Sequence, residues 1–344
     1  MSDSVLDRGG AVREGEGLDA AAVTAWLEAQ GVVLEGSAAV TQFAGGASNW
    51  TYRLEYANRD LILRRPPSGT KAKGAHDMGR EYTVQSALRP IYPYVPNMVG
   101  FCSDVSVIGS EFYVMDRIAG IIPRKNLPPG MTLSPAQTRQ LCRNMLDRLI
   151  ALHRVDVRAT PLEKLGKGSG YVQRQIDGWN ARWAKVPTWN VLKFQDVANG
   201  VIHNDWRFDN LVLSAEDPTQ IIGVLDWEMA TLGDPLMELG CVIAYWSQAG
   251  DDRIAQFMRR QPTHLPGMFT RREVVDYYLE HSGLKCDNWA FYEAYGLFRL
   301  AVIIQQIYYR YHHRQTHNPA FKPFWIMANY LGWRARRVIK KANH

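Results

Sequence analysis

The sequence predicts an α+β protein of two lobes: a small β-rich lobe over residues 18–120, a larger helical lobe over residues 121–344, and a cleft between them. Three observations predict it. Residues 39–118 carry short runs of β-branched and aromatic residues separated by Gly, Asn and Pro. After Pro128-Pro129-Gly130 the composition changes and apolar residues recur at helical spacing. Within that second half a polar turn between short apolar strands holds a His, an Asp and an Asn, and a further Asp closes the next strand.

The elements follow in order. Residues 1–17 are rich in Gly and charge, lack an apolar period, and are expected to form a mobile tail. Asp19 caps a short helix with Val23, Trp26 and Leu27, stopped at Gly31. Strands are expected at Ala39–Ala44, Trp50–Tyr56 and Asp60–Arg64, with turns at Gly45-Gly46 and Asn58. A helix at His76–Leu88 is ended by Pro90, Pro93 and Pro96. Strands at Met98–Cys102 and Glu111–Ile118 complete a mostly antiparallel sheet. In the second lobe, helices are expected at Ser134–Arg154 and Tyr171–Trp183, then strands at Gly200–His203, Leu211–Leu213 and Ile221–Leu225. From Pro235 onward the chain reads as helical, with aromatic-rich segments near Arg271–His281, Asn288–Tyr311 and Pro323–Lys341.

Composition excludes several classes. Of 344 residues, 46% are hydrophobic and 22% charged, which is enough apolar surface for a core and excludes global disorder. No apolar run approaches the ~20 residues that span a bilayer, and the N-terminus lacks a secretory apolar stretch. A cytoplasmic protein without a membrane partner is therefore expected. Cys102, Cys142, Cys241 and Cys286 form no CxxC pair and are expected as buried free thiols. Net charge is +6, and the 51 residues after Glu293 contain nine Lys or Arg and no acid. Such a surface favours anionic partners, and no nucleic-acid motif accompanies it.

The chemistry is concentrated in VIHNDWRFDNLVL, residues 201–213, and IIGVLDWEMATLGDP, residues 221–235. Phosphoryl transfer asks for these parts, because the protein does little covalent work; it positions groups and neutralises charge. A carboxylate beside the acceptor hydroxyl takes its proton. A second carboxylate and an amide oxygen suit Mg²⁺, which prefers hard oxygen ligands. On this reading Asp205 is the base, Asn210 and Asp226 are the metal ligands, and His203 braces the loop. Turns use Asp and Asn anyway, but a turn alone gives no reason for Asp226 at the end of the next apolar strand.

The pair HNDWRFDN and VLDWEMATLGDP resembles the aminoglycoside phosphotransferase family, small-molecule relatives of the protein kinases, whose catalytic loop has the same His-x-Asp and Asp-to-Asn spacing. The resemblance runs from about Val40 to the C-terminus. It implies a bilobal protein-kinase-like fold and ATP with Mg²⁺. Asn204 stands where members usually have Gly. Asp226 is followed by Trp227-Glu228, and Leu232-Gly233-Asp234-Pro235 comes directly after, leaving no room for a long peptide-binding segment. A small-molecule acceptor is expected. Gly45, Gly46 and Ser48 would bring backbone N–H groups to phosphates. The resemblance places a phosphate-binding cation at Arg64, beside Arg65, where members have Lys, and Glu81 would steady it. It also places adenine against the backbone of Asp116 and Ile118.

The segment GKGSG at 166–170 lacks Walker A spacing. His312, His313 and His317 read as a stacked or solvated helix face. An acid-free C-terminal region argues for an anionic acceptor with an apolar part. LRRPP, NDWRFDN and DWEMATLGDP resemble the subgroup related to kinase domains attached to, or encoded near, acyl-CoA dehydrogenases, which implies a hydroxyacyl-CoA acceptor. Aminoglycosides, other small alcohols and a non-catalytic nucleotide-binding role stay open, as does the oligomeric state.

Overall fold

The computed structural model describes residues 6–43, 49–67, 77–182 and 195–342. Asp19 accepts a hydrogen bond from the Ala22 N–H at 2.9 Å and opens α1, Ala20–Ala29. Strands β1 (Ala39–Gln42), β2 (Trp50–Glu55), β3 (Asp60–Arg65), β4 (Met98–Cys102) and β5 (Phe112–Asp116) form one antiparallel sheet in the order β1-β2-β3-β5-β4. Helix α2, Met78–Leu88, is inserted between β3 and β4.

Alternation along β3 sorts its side chains onto two faces. Leu61 and Leu63 pack under α1 with Val23, Leu27, Tyr52 and Phe112. Arg65 follows them, lying over the Trp50 and Tyr52 rings at 4.9 and 5.5 Å. Ile62 faces the other way, onto Met78, Tyr113 and Met115. Arg64 shares that face and reaches α2.

The expected mobile tail needs correction for residues 7–17. Gly10 and Gln42 exchange backbone hydrogen bonds at 2.8 and 2.9 Å, extending the sheet edge. Glu16 and Gly17 accept through their carbonyls from the Tyr52 hydroxyl and the Arg65 guanidinium. The Asp7 N–H donates to the Gly120 carbonyl at 3.1 Å. Main-chain pairing of this kind leaves no apolar period in the sequence.

The lobes meet at a short linker. Ile121 and Leu213 exchange backbone hydrogen bonds at 2.9 and 2.8 Å. Gly120 permits that approach, since a Cβ there would run into the Leu213 carbonyl and Val212. The second lobe begins with α3, Pro135–His153, opened by a Ser134–Gln137 capping box. The GKGSG loop leads into α4, Tyr171–Arg182, whose first N–H groups are accepted by the Asp196 carboxylate.

Two short ladders follow. β6 (Gly200–Ile202) pairs with β9 (Thr231–Gly233), and β7 (Leu211–Leu213) with β8 (Ile221–Val224). They set the loops at 203–210 and 225–230 side by side. Helices α5 (Pro235–Tyr245), α6 (Arg253–Met258), α7 (Arg271–Ser282), α8 (Trp289–His312) and α9 (Phe324–Ala342) complete the lobe. All of α5 except its last residue is buried. It crosses α8 where Gly296 rests on the Gly240 carbonyl, too close for any side chain. The result is the bilobal protein-kinase-like architecture expected from the sequence. Among the described residues no helix is long and apolar enough to cross a membrane. Cys102, Cys142 and Cys241 are buried free thiols, and Cys286 is half-buried. The rings of His312 and His313 lie against Tyr308 and Tyr309.

Candidate active site

His203 begins the loop between β6 and β7 and is fully buried. Its Nδ1 accepts from the Asp205 N–H at 3.2 Å, and its Nε2 bonds the Leu225 carbonyl at 2.9 Å. Those partners assign the neutral ring with its proton on Nε2. The imidazole stands edge-on to Trp227, with centroids 4.8 Å apart. It thereby joins the loop that carries Asp205 to the strand end that precedes Asp226.

Asn204 adopts φ +67°. This is the left-handed region that Gly favours and Asn tolerates, so Asn can stand in for the usual Gly. Its side chain bonds the Met229 carbonyl at 3.1 Å and the Tyr171 hydroxyl at 3.3 Å.

Asp205 has one occupied carboxylate oxygen. Oδ2 accepts from Asn210 Nδ2 at 3.0 Å and from Arg207 Nη2 at 3.1 Å. Oδ1 has no partner among the described residues. Arg207 also lies 3.3 Å from Asp209 and over the Tyr245 ring at 5.0 Å. Burial pushes the Asp209 carboxyl up, against the pull of Arg207.

From the other lobe, Arg64 reaches across the cleft. Its Nη1 donates to Glu81 Oε1 at 2.5 Å and its Nη2 to Asp226 Oδ1 at 3.2 Å. Glu81 is 2% exposed, Arg64 9% and Asp226 31% at the side chain. Burial works against the Arg64 charge, but Glu81 and Asp226 outweigh it and hold its pKa well above the ordinary value. Burial pushes Glu81 upward, and Arg64 opposes that shift. Asp226 itself sits at φ +66°, so the chain turns sharply where β8 ends.

A cleft of about 350 Å³ collects these groups: Arg64, Asp205, Asn210 and Asp226 line it, together with Asp116 and Ile118 of the linker. None of the hydrogen bonds among the described residues uses the Ile118 main chain. The Asp116 side chain is engaged by Arg59 and Asn97 at 2.9 and 2.8 Å. Glu81 lies behind Arg64. Gly45, Gly46 and Ser48 fall outside the described residues.

Two further residues were not singled out from the sequence. Glu238 on α5 is 1% exposed and accepts from His153 Nε2 at 2.7 Å and from the backbone N–H groups of His203 and Asn204 at 3.0 and 2.5 Å. Burial opposes its charge, but the His153 side chain and the His203 backbone N–H hold its pKa below the ordinary carboxylate value. Its signal was a lone carboxylate inside the apolar run PLMELGCVIAY. Arg80 on α2 bonds the carbonyls of Glu228 and Ala230, tying the helix that carries Glu81 to the second lobe.

Asn210 engages its amide nitrogen with Asp205, which leaves its oxygen; Asp226 engages one oxygen with Arg64, which leaves the other. Among the described residues no cluster of three or more His, Cys, Asp or Glu is arranged to hold a metal. One carboxylate and one amide oxygen suit Mg²⁺, which takes its remaining ligands from phosphates and water.

A family model described as the phosphotransferase enzyme family matches residues 39–274, more than half of the chain. Mouse (Mus musculus) acyl-CoA dehydrogenase family member 10 is 33% identical over 283 residues, 78% of this chain and 26% of that protein. Human (Homo sapiens) acyl-CoA dehydrogenase family member 11 is 32% identical over 302 residues, 83% of this chain and 38% of that protein. The chain thus spans only about a quarter to two-fifths of these relatives. A crystal structure from Ralstonia eutropha, provisionally assigned as an aminoglycoside phosphotransferase, superposes with a TM-score of 0.73 at 29% identity, covering 93% of this chain and 98% of that one.

Proposed function

Because the chain belongs to the phosphotransferase enzyme family, we propose that it transfers the γ-phosphate of Mg·ATP to a hydroxyl of a small molecule, with a hydroxyacyl-CoA as the leading acceptor. The observation that carries this reading is the Asp205 carboxylate: one oxygen is fixed by Asn210 and Arg207, the other has no partner among the described residues, and Asp205 lines the cleft that Arg64 and Asp226 share.

Asp205 Oδ1 accepts the proton of the acceptor hydroxyl and aligns its oxygen. That oxygen bonds to the γ-phosphorus as the bond to the bridging oxygen breaks, and ADP leaves. Arg64, held by Glu81, meets the phosphates with a planar guanidinium, which binds two oxygens where Lys would bind as a point charge. Ile118 offers its free backbone to adenine. Asn210 and Asp226 would hold Mg²⁺, which when bound neutralises phosphate charge. His203 and Glu238 hold the loop; they do not touch the acceptor. The backbone of Gly45, Gly46 and Ser48 is proposed to cover the phosphates.

The acyl-CoA acceptor is supported by the relatives' names and by the acid-free, basic C-terminal region. CoA carries phosphates that such a surface attracts. The test is Mg·ATP-dependent ADP release with hydroxyacyl-CoAs, run beside kanamycin-type aminoglycosides and choline. Release with the CoA thioesters alone is expected. Release with another acceptor and none with these would sink the acyl-CoA assignment, and ATP binding without any release would favour a non-catalytic module.

A further inference from the structure

Beside the cleft lies a second cavity, of about 330 Å³, that the phosphoryl-transfer groups leave unused. Its walls come from α5, α8 and α9: Ala244, Leu300, Ile304, Phe324, Met327 and Leu331 line it and all are buried. Ile303 and Ile307 add two half-buried apolar positions from α8. The rim is cationic, with Arg124, Lys125, Arg260 and Arg334, and Asp209 is the one carboxylate among the described lining residues.

The cavity adjoins the cleft. Arg124, Arg207 and Asp209 line both. Arg207 stands at the junction, 3.1 Å from Asp205 Oδ2 on one side and over the Tyr245 ring on the other. A molecule whose hydroxyl sits at Asp205 therefore has an apolar space on the far side of Arg207. An aminoglycoside or a choline would place polar or cationic groups against apolar walls and a cationic rim, and both cost affinity.

We infer that this cavity is the subsite for a linear apolar chain on the acceptor, and that Ile303 and Ile307 help set the chain length it accepts. The inference rests on the acceptor reading above and specifies it. Each methylene buried in such a space strengthens binding about fourfold (about 0.8 kcal/mol). A volume at the low end of ligand pockets, which run roughly 300–1,000 Å³, should impose a plateau once it is filled.

The test uses saturated acyl-CoAs, which lack the hydroxyl and cannot react. Binding of CoA, butanoyl-CoA, octanoyl-CoA and dodecanoyl-CoA to the full chain is measured by calorimetry. Affinity should rise tenfold or more from butanoyl to octanoyl and then level off. Ile303→Trp and, separately, Ile307→Trp fill the space from half-buried positions that tolerate a larger ring; each should move the plateau to shorter chains. Flat affinity across the series, or a wild-type profile in both folded variants, would overturn the inference. A chain-length profile that responds to the variants upholds the subsite even where the hydroxylated thioesters are not phosphorylated; that result would remove the chemistry and not the cavity.

Discussion

Replacing Arg64 by Met separates two jobs that the structure gives one side chain. Arg64 offsets the charge of a carboxylate that is 2% exposed and presents a cation to the cleft. Arg64→Met strands Glu81, and breaking a buried pair by removing one partner costs about 3–5 kcal/mol. At about 2–4 °C per kcal/mol for a large domain, the melting temperature should fall by roughly 6–20 °C. Removing the cation should also weaken a Mg·ATP analogue by about 10- to 150-fold, the loss of one charge-assisted hydrogen bond of about 1.5–3 kcal/mol. The double variant Arg64→Met/Glu81→Leu makes both partners apolar, a change that is often neutral. It should recover most of the melting temperature while nucleotide affinity stays lost. Scanning calorimetry reads the first quantity and titration calorimetry the second. Wild-type nucleotide affinity in the double variant would refute the phosphate role of Arg64; an unchanged melting temperature in the single variant would refute the buried-pair argument.

Other outcomes follow from the loop. Asn204→Gly suits φ +67° and should change stability by less than about 1 kcal/mol with turnover retained, whereas Asn204→Val should lose about 1–2 kcal/mol to left-handed strain; urea unfolding distinguishes them. Glu238→Gln leaves one acceptor oxygen where three donors converge and should lose about 3–5 kcal/mol. The depressed pKa of Glu238 sets the sign of the pH effect. Its stabilisation is fully present above about pH 4.5, the unfolded value, and is lost as pH falls through the lower folded value. Urea midpoints from about pH 6 to about pH 3 should therefore fall less steeply in Glu238→Gln than in wild type. Asp226→Asn keeps the shape but removes a charge, and Mg·ATP affinity should fall by about tenfold or more while unfolding midpoints move little, because the group is partly solvated.

The sequence carried the parts of the molecule whose signals are local. The strand ending at Arg64 was legible in LILRR, and the structure extends it to Arg65, with the two arginines on opposite faces of the sheet. The helix cap at Asp19 and the helix beginning near Ser134 stood in the sequence and hold in the structure. Spacing within HNDWRFDN brought Asp205 and Asn210 to one loop. Long-range pairings were not legible. Residues 7–17 join the sheet through backbone groups, which no side-chain pattern reports. Strand β9 spans three residues, too few for a period. Glu238 lies 35 residues from His203 along the chain, and only the packing of α5 brings it under the loop. The apolar cavity needs α5, α8 and α9 together, so the C-terminal helices could be read as basic without revealing what they enclose.

The role of Asp205 is tested by comparing wild type with Asp205→Asn in one experiment. Mg·ATP affinity is measured by titration, and ADP release is followed with the best acceptor found in the panel. Nucleotide affinity should stay within about twofold of wild type and turnover should fall by about 10²–10⁴-fold, the range for a general base. Turnover near the wild-type rate in Asp205→Asn would contradict the assignment of Asp205 as the group that takes the acceptor's proton.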